Sequence, residues 1–506
     1  MRMVNFPLKI MANKIGLPTS GATVVSGKWV KKGEPAGGIV AKKFGLYADT
    51  DMFVVEGMIH PVDPNAQDIH FELGIPSHWN GKLIQAGGGG MDGYVIPSTL
   101  PLTGQDPEKS ALKQGYAVVG SDGGHIMEDY SPWGCHWTLN QETLYNFASE
   151  QLKKTKDVAC VLLETIMEET PEKVYFYGGS NGGRECMKAI QNYPEDYDGA
   201  ICFFPVLYWM LKILMDARIS DTLEDYGEKG IIDAETQAKI KNIVLEYCDG
   251  LDGVSDGLVS DLQNASQKAS EIETRLHEFL TKEQFEVLHS INEDIKLSYP
   301  LGYGDVTLPG YQIYEGAAIN LHLTATPKKR ETSPGAGSDE FLKYAVVGDG
   351  DYDVRHFDTD KWKDRIQELS RLLDAYDTNL DAFFKHGGKL LMVQGMADPL
   401  VCIYGTNQYY EMLIKRYGKD ALSESMKYYV VPGFGHGPGG DFLLGTDMIG
   451  ALDQWVEEGK APRDMIATDL NEDTKGRTRP LCEYPSFPYY TGKGDVNKAE
   501  SFLKRK

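Results

Sequence analysis

A serine, an acid and a histidine stand in this chain in settings that suit ester chemistry. Gly178-Gly179-Ser180-Asn181-Gly182 follows an apolar β run, Val174–Tyr177, and precedes a helical run, Arg184–Gln191. A sharp strand-to-helix turn needs small residues around its serine, because the backbone is strained and its neighbours approach closely. It lifts the hydroxyl above a sheet and seats it at a helix N-terminus. There the helix dipole and the Asn181 N–H stabilise a developing oxyanion. A glycine-rich turn without chemistry carries the same local signature, so the motif needs partners. A serine nucleophile needs a base, and in this arrangement the chain order is serine, acid, histidine. Asp398 lies in Gln394-Gly395-Met396-Ala397-Asp398-Pro399, just past the apolar run Lys389–Val393. His436 lies in Pro432-Gly433-Phe434-Gly435-His436-Gly437-Pro438-Gly439-Gly440, just past Lys427–Val431. Both loops follow the C-terminal ends of strands, where open α/β sheets bind ligands. Either residue alone reads as an ordinary loop residue. Three correct settings in the correct order predict a triad of Ser180, Asp398 and His436. His356 and His386 precede Asp398, and His125 and His136 precede Ser180. These four read as structural, although His125 and His136 could face substrate.

Two further clusters carry chemistry. Gly87-Gly88-Gly89-Gly90-Met91-Asp92-Gly93 follows the strand candidate Lys82–Ala86 and contains G-x-G-x-x-G from Gly88 to Gly93. A dinucleotide site requires a helix next, and Tyr94-Val95-Ile96-Pro97 follows instead. The run therefore reads as a second oxyanion loop, in which Gly89 and Gly90 bring a backbone N–H opposite Asn181. In Asp249-Gly250-Leu251-Asp252-Gly253-Val254-Ser255-Asp256-Gly257-Leu258 three carboxylates recur with glycines between them. They suit a hard cation, with the carbonyls of Val254 and Leu258 completing an oxygen cage. A solvated acidic turn is the competing reading, and the spacing is not that of an EF-hand. No H-E-x-x-H, P-loop or cysteine–histidine zinc signature occurs, so metal-dependent hydrolysis has no support.

The elements that must position these groups follow from periodicity. Ala22–Val30, Phe53–Ile59 and His70–Leu73 read as short β segments. Beyond residue 80 the apolar runs Lys82–Ala86, Ala117–Gly120, Lys173–Tyr177, Lys389–Val393 and Lys427–Val431 suit buried parallel strands. Ser149–Glu169, Asn181–Gln191 and Thr406–Arg416 have helical spacing. The alternation predicts an α/β fold with a mostly parallel sheet and helices on both faces. Helical, charged stretches (Asp233–Tyr247, Glu271–Asn292, Lys361–Tyr376) and a loop rich in Pro, Gly and Ser around Thr326–Ser338 interrupt that rhythm. The expected division is a core over 1–204 and 386–506 with an inserted domain over 205–385.

The chain has 506 residues and a formal net charge of −23. That balance argues against nucleic acid, which needs clustered Lys and Arg, and against an anionic membrane surface. No apolar run is long enough for a transmembrane helix, and Met1–Ser20 lacks the apolar core of a signal peptide. Seven scattered cysteines, Cys135, Cys160, Cys186, Cys202, Cys248, Cys402 and Cys482, contain no C-x-x-C. The expectation is reduced thiols and a cytoplasmic location.

Taken together, these motifs resemble the tannase and feruloyl esterase family of α/β-hydrolases, which also includes mono(hydroxyethyl) terephthalate hydrolase. The likeness runs nearly end to end. It includes Ile15-Gly16-Leu17-Pro18, Trp79-Asn80-Gly81-Lys82 before the glycine run, the serine elbow, Gly395 to Pro399, Pro432 to Gly440, and Arg479-Pro480-Leu481-Cys482. The resemblance implies Ser180 as nucleophile, His436 as base and Asp398 as its orienting acid. It implies an inserted lid over ~205–385 that holds an aromatic acyl group, and a lid calcium site at Asp249, Asp252, Val254, Asp256 and Leu258. It implies hydrolysis of galloyl, hydroxycinnamoyl or related benzoyl esters through an acyl-enzyme. An acyltransferase or amidase on the same triad, or a catalytically weak binding protein, are the alternatives. Trp133–Trp137, Phe203–Trp209 and Tyr299–Tyr314 are candidate pocket linings. One departure matters. The family pattern has a cysteine before the serine and another after the histidine, joined as a disulfide; here those positions are Gly179 and Gly437. Cys248 resembles another disulfide position but has no matching cysteine near Asp261–Ser266.

Overall fold

A computed structural model of the chain describes residues 4–36, 41, 43, 45–127, 134–319 and 335–506. Two compact units divide it: Met1–Pro205 with Asn379–Leu390 and Asp447–Ala461, and Val206–Thr378 with Leu391–Thr446 and Pro462–Lys506.

The first unit is built on strands β1 (Leu8–Ile10), β2 (Ala22–Val30), β3 (Met52–Ile59), β4 (Ile69–Pro76), β5 (Lys82–Ala86), β6 (Ala117–Ser121), β7 (Lys173–Gly179) and β8 (Gly199–Phe203), in the order β1-β2-β3-β4-β6-β5-β7-β8. From β1 to β4, and between β4 and β6, pairing is antiparallel. The β6-β5-β7-β8 part that carries the serine is parallel, with Gln85 beside Phe176 and Gly179 beside Phe203. Val174, Tyr175, Phe176 and Tyr177 are all buried. That is why β7 reads as a continuous apolar run rather than an alternating one: helices cover a parallel strand on both faces. β8 is equally apolar and equally buried, but its shortness hides it from a periodicity argument.

Helix α1 (Gln151–Met167) turns Leu152, Val158, Leu162, Leu163 and Ile166 into the core. It stops at Glu168, which takes a left-handed conformation. Helix α2 (Asn181–Asn192) follows the serine and is buried from Asn181 to Ile190. Met448–Glu458 is anchored through Asp453, which accepts from Lys82 Nζ and from the Tyr175 hydroxyl, each at 2.6 Å.

The second unit contains the helices Trp209–Tyr226, Ala234–Cys248, Lys363–Leu373 and Ile403–Tyr417. The helical stretch expected over Glu271–Asn292 is two helices, Ala269–Leu276 and Lys282–Asn292. Thr281 divides them because it caps the second one, exchanging hydrogen bonds with Gln284 in a capping box. β9 (Ile295–Lys296) and β10 (Thr307–Leu308) form a small antiparallel pair. β11 (Lys389–Gly395), β12 (Met426–Val431) and β16 (Cys482–Glu483) lie in the order β11-β12-β16, with β11 belonging to this unit from Leu391 onward. β13 (Leu444–Gly445), β14 (Ile466–Asp469) and β15 (Thr478–Pro480) make a second antiparallel sheet, and β17 (Phe487–Tyr490) pairs with β18 (Phe502–Arg505). Of the loop expected around Thr326–Ser338, residues 326–334 lie outside the described residues. Gly335–Ser338 is helical instead, the start of Gly335–Phe341. Trp133, in a candidate pocket stretch, is also outside them.

Candidate active site

Ser180 stands between β7 and α2 with φ 63° and ψ −124°. A non-glycine residue in that region is strained, and such strain persists only where the surroundings enforce it. Here they are backbone. The Ser180 N–H donates to the Phe203 carbonyl at 3.1 Å, and the Gly182 N–H to the Gly88 carbonyl at 3.0 Å. A Cβ at position 182 would lie 2.5 Å from that carbonyl oxygen, so only glycine lets α2 approach the Gly87–Gly90 loop. Asn181 opens α2, so its N–H has no carbonyl one turn back to bond. Gly89 and Gly90 sit on the facing loop, half-buried and exposed respectively. The structure therefore brings Ser180, Asn181 and the glycine loop together within the first unit.

A buried polar cluster underlies this turn, and sequence reasoning did not foresee it. Asn181 Nδ2 donates to Asp92 Oδ1 at 2.7 Å, and Arg184 Nε donates to Asn181 Oδ1 at 2.7 Å. Glu185 Oε2 accepts from the Gly88 N–H at 2.9 Å, and Glu185 Oε1 from Gln151 Nε2 at 3.0 Å. Asp92, Arg184 and Glu185 are each at most 1% exposed. Burial, reinforced by the neighbouring Glu185, raises the Asp92 carboxyl well above the ordinary carboxylate range. The one signal in the sequence was charged residues inside an otherwise small, apolar helix start.

His125 is 2% exposed and stacks on Trp137 at 4.0 Å. Burial pushes its imidazole down to about 3, so it is a neutral, packed ring, in keeping with the structural reading.

In the second unit Asp398 and His436 meet. His436 Nδ1 lies 2.9 and 3.0 Å from the two Asp398 carboxylate oxygens. Asp398 Oδ1 also accepts the N–H groups of Leu400 at 2.8 Å and Val401 at 2.9 Å. The carboxylate is thus fixed from its own loop, and it engages the ring nitrogen that leaves Nε2 turned the other way. The two loops are stitched to each other: Met396 N–H donates to the Val431 carbonyl and Ala397 N–H to the Phe434 carbonyl, both at 3.0 Å. A Cβ on Gly395 would lie 2.1 Å from the Phe434 oxygen. A cavity of about 190 Å³ in the same unit is lined by Lys241, Val244, Val259, Ala317, Met396 and Gly440, among others.

The acidic segment also lies in this unit. Asp249 accepts the N–H groups of Asp256 and Gly257, and Asp252 accepts that of Val254. Burial, with the nearby Asp256 and Asp249 carboxylates, pushes Asp252 up to about 7; burial and Asp256 also raise Asp249. An all-oxygen donor set whose carboxylates crowd one another suits a hard divalent cation. Asp256, however, is already paired with Arg479. Among the described residues no three carboxylates, thiols or imidazoles stand at metal-holding spacing.

The fold is of the α/β-hydrolase type, and the likeness to known proteins makes the chain an esterase. The profile of the tannase and feruloyl esterase family matches residues 53–504, so the chain belongs to that family. It is 37% identical to an uncharacterized esterase of Agrobacterium fabrum, over 97% of this chain and 91% of that one. It is 30% identical to a probable feruloyl esterase of Arthroderma benhamiae, over 85% of this chain and 81% of that one. Its fold is shared with feruloyl esterase B of Aspergillus oryzae (TM-score 0.79, 22% identity, 97% of this chain and 98% of that one) and the tannin acyl hydrolase of Aspergillus niger (TM-score 0.68, 20% identity, 97% and 94%). Among the described residues no helix is long and apolar enough to cross a membrane.

Proposed function

We propose that this chain is a serine carboxylesterase that hydrolyses esters of aromatic acids through an acyl-enzyme. The observation that carries the reading is Ser180 held at φ 63° where β7 turns into α2. In this reading His436 Nε2 takes the Ser180 proton as Oγ attacks the ester carbonyl. The oxyanion is held by N–H groups of Asn181 and the Gly89–Gly90 loop, and its collapse expels the alcohol, which takes the proton from His436. Water then repeats the cycle and releases the acid, while Asp398 steadies the imidazolium. The aromatic acyl class, galloyl, hydroxycinnamoyl or related benzoyl, is supported by the names of the relatives. The apolar cavity beside Met396 suits a small molecule. Residues 205–385 serve as the lid over the substrate in this reading.

Calcium belongs to the same proposal. Asp249, Asp252 and Asp256, with the carbonyls of Val254 and Leu258, would hold it; the raised carboxyls of Asp249 and Asp252 support the assignment, and Asp256 would have to give up Arg479 and the carboxylates draw together around the ion. The ion's contribution would be to the stability of the lid. A reducing, cytoplasmic setting is supported by seven cysteines of which none is in a disulfide.

The test is a panel of methyl gallate, methyl ferulate, a terephthalate monoester and a short aliphatic ester, run on wild type and Ser180→Ala. Aromatic-ester turnover that falls by ~10⁴-fold or more in the variant is expected. Equal turnover in both would overturn the serine mechanism. Faster turnover in the presence of added alcohol or amine would replace hydrolysis by acyl transfer.

A further inference from the structure

The mechanism above leaves a buried acidic pair unused. Asp92 and Glu185 are neighbours, with only 1% of each exposed. Asp92 comes from the oxyanion loop and Glu185 from the first turns of α2. Two further contacts of the pair tie these two segments together. Glu185 Oε2 holds the Gly88 N–H at 2.9 Å, and Asp92 Oδ1 holds Asn181 Nδ2 at 2.7 Å. Asp92 closes its own loop by donating its N–H to the Gly89 carbonyl at 3.0 Å. The pair therefore grips Asn181 and Gly89 directly, and Gly88 beside them, at both segments expected to supply oxyanion donors.

We propose that Asp92 and Glu185 are positioning residues that share one proton and thereby set the spacing between the two halves of the oxyanion hole. The proposal rests on the serine-esterase reading. Burial supports a shared proton. Arg184 is fully buried against the Phe147 and Ala148 carbonyls and Asn181 Oδ1. Two carboxyls buried side by side repel each other when both are ionised, so one of them is held neutral. The proton sits on Asp92, whose carboxyl is raised by burial and by Glu185. Its O–H donates to the Glu185 carboxylate, and Gln151 Nε2 completes the shell at 3.0 Å. From the loop, Tyr94 is pushed up to about 12 by burial, Asp92 and Glu185. From the segment after β6, Asp122 turns instead to His70 at 2.8 Å, and His125 bonds the Met91 backbone.

The sign of the pH effect follows. A carboxyl raised in the folded state contributes stability below its unfolded value, ordinarily near ~3.9, and that contribution is lost as pH climbs through the folded value. Loss of the Asp92 proton sets two buried carboxylates against each other and pushes the loop away from α2. Turnover then falls on the alkaline side.

The test uses two variants of the full chain. Asp92→Asn keeps the pattern without a titratable proton: its Nδ2 replaces the O–H toward Glu185, and its Oδ1 still accepts from Asn181. Asp92→Ala removes both links. For Asp92→Ala we expect kcat to fall by about 10²-fold, the scale of losing an oxyanion donor, with KM within twofold. Hydrogen exchange at the Gly88 and Gly182 amides should speed up. For Asp92→Asn we expect kcat and exchange to return to near wild type and the alkaline limb of the kcat profile to flatten. Asp92→Asn falling as far as Asp92→Ala, or Asp92→Ala leaving exchange unchanged, would overturn the proposal. Should Asp92→Ala not fold, an alkaline limb unaltered in Asp92→Asn overturns it just as well. Failure of the parent reading looks different: Ser180→Ala would keep turnover, while the exchange measurement still decides the acid pair.

Discussion

At the strand-to-helix turn of the first unit the Ser180 side chain is held by backbone. Ser180 has a strained φ, its N–H and that of Gly182 are both spent on carbonyls of neighbouring segments, and position 182 has no room for a Cβ. Around His436 in the second unit the same task falls to a side chain. Asp398, itself pinned by two backbone N–H groups, grips the imidazole through both carboxylate oxygens. The difference follows from what each group would do in the proposed mechanism. An attacking hydroxyl needs one fixed position, which crowding supplies. A base that takes and returns a proton needs a fixed tautomer and a compensating charge, which only a carboxylate supplies.

That contrast can be broken experimentally. The largest effect is expected from Asp398→Asn, which keeps shape but removes the charge and the tautomer control. Turnover of an aromatic ester should fall by about 10⁴-fold, with circular dichroism and melting temperature close to wild type. A loss below tenfold would mean that His436 is not held for chemistry by Asp398. Gly182→Ala should act the opposite way, through structure. The added Cβ meets the Gly88 carbonyl, so unfolding free energy should drop by roughly 2–4 kcal/mol, read from urea denaturation. An unchanged midpoint would show that the elbow is not held by crowding.

Two smaller effects sharpen the picture. Gly179→Cys with Gly437→Cys places thiols where the family pattern has its disulfide. Under oxidising conditions a cross-link, read as loss of two hydrogens by intact mass, is expected if Ser180 and His436 work together. Two free thiols after oxidation would count against the triad. Last, chelation of bound calcium should lower the melting temperature by a few degrees, roughly 2–4 °C per kcal/mol lost in a unit of this size. Titration of an active-site acylating probe should change less. A melting curve indifferent to chelator would remove calcium from the acidic segment.

Much of the site was legible before the fold was known, because each element has a local signature. β7 and β11 read as apolar runs, α2 as a helical run after a small-residue turn, and Asp398 and His436 as loop residues past strand ends. β2 and β5 have the very boundaries read from the residues. Less legible were β8, five residues with no periodicity of its own, and the break at Thr281, where a capping box outweighs continuous helical spacing. The acid pair was invisible for a different reason. Asp92 and Glu185 are 93 positions apart in numbering, and nothing local tells a buried carboxyl from a solvated one.

The sequence alone determined the α/β class, the order serine–acid–histidine and the glycines that allow tight turns, because those depend on residue types at short range. Only the tertiary structure decided that Ser180 is strained, that Asp398 grips His436 Nδ1, and that Asp92 and Glu185 are buried as neighbours beside the Gly87–Gly90 loop. These depend on which backbones come within van der Waals distance and how much water is expelled between them, and burial of that kind belongs to the packed chain rather than to any one segment.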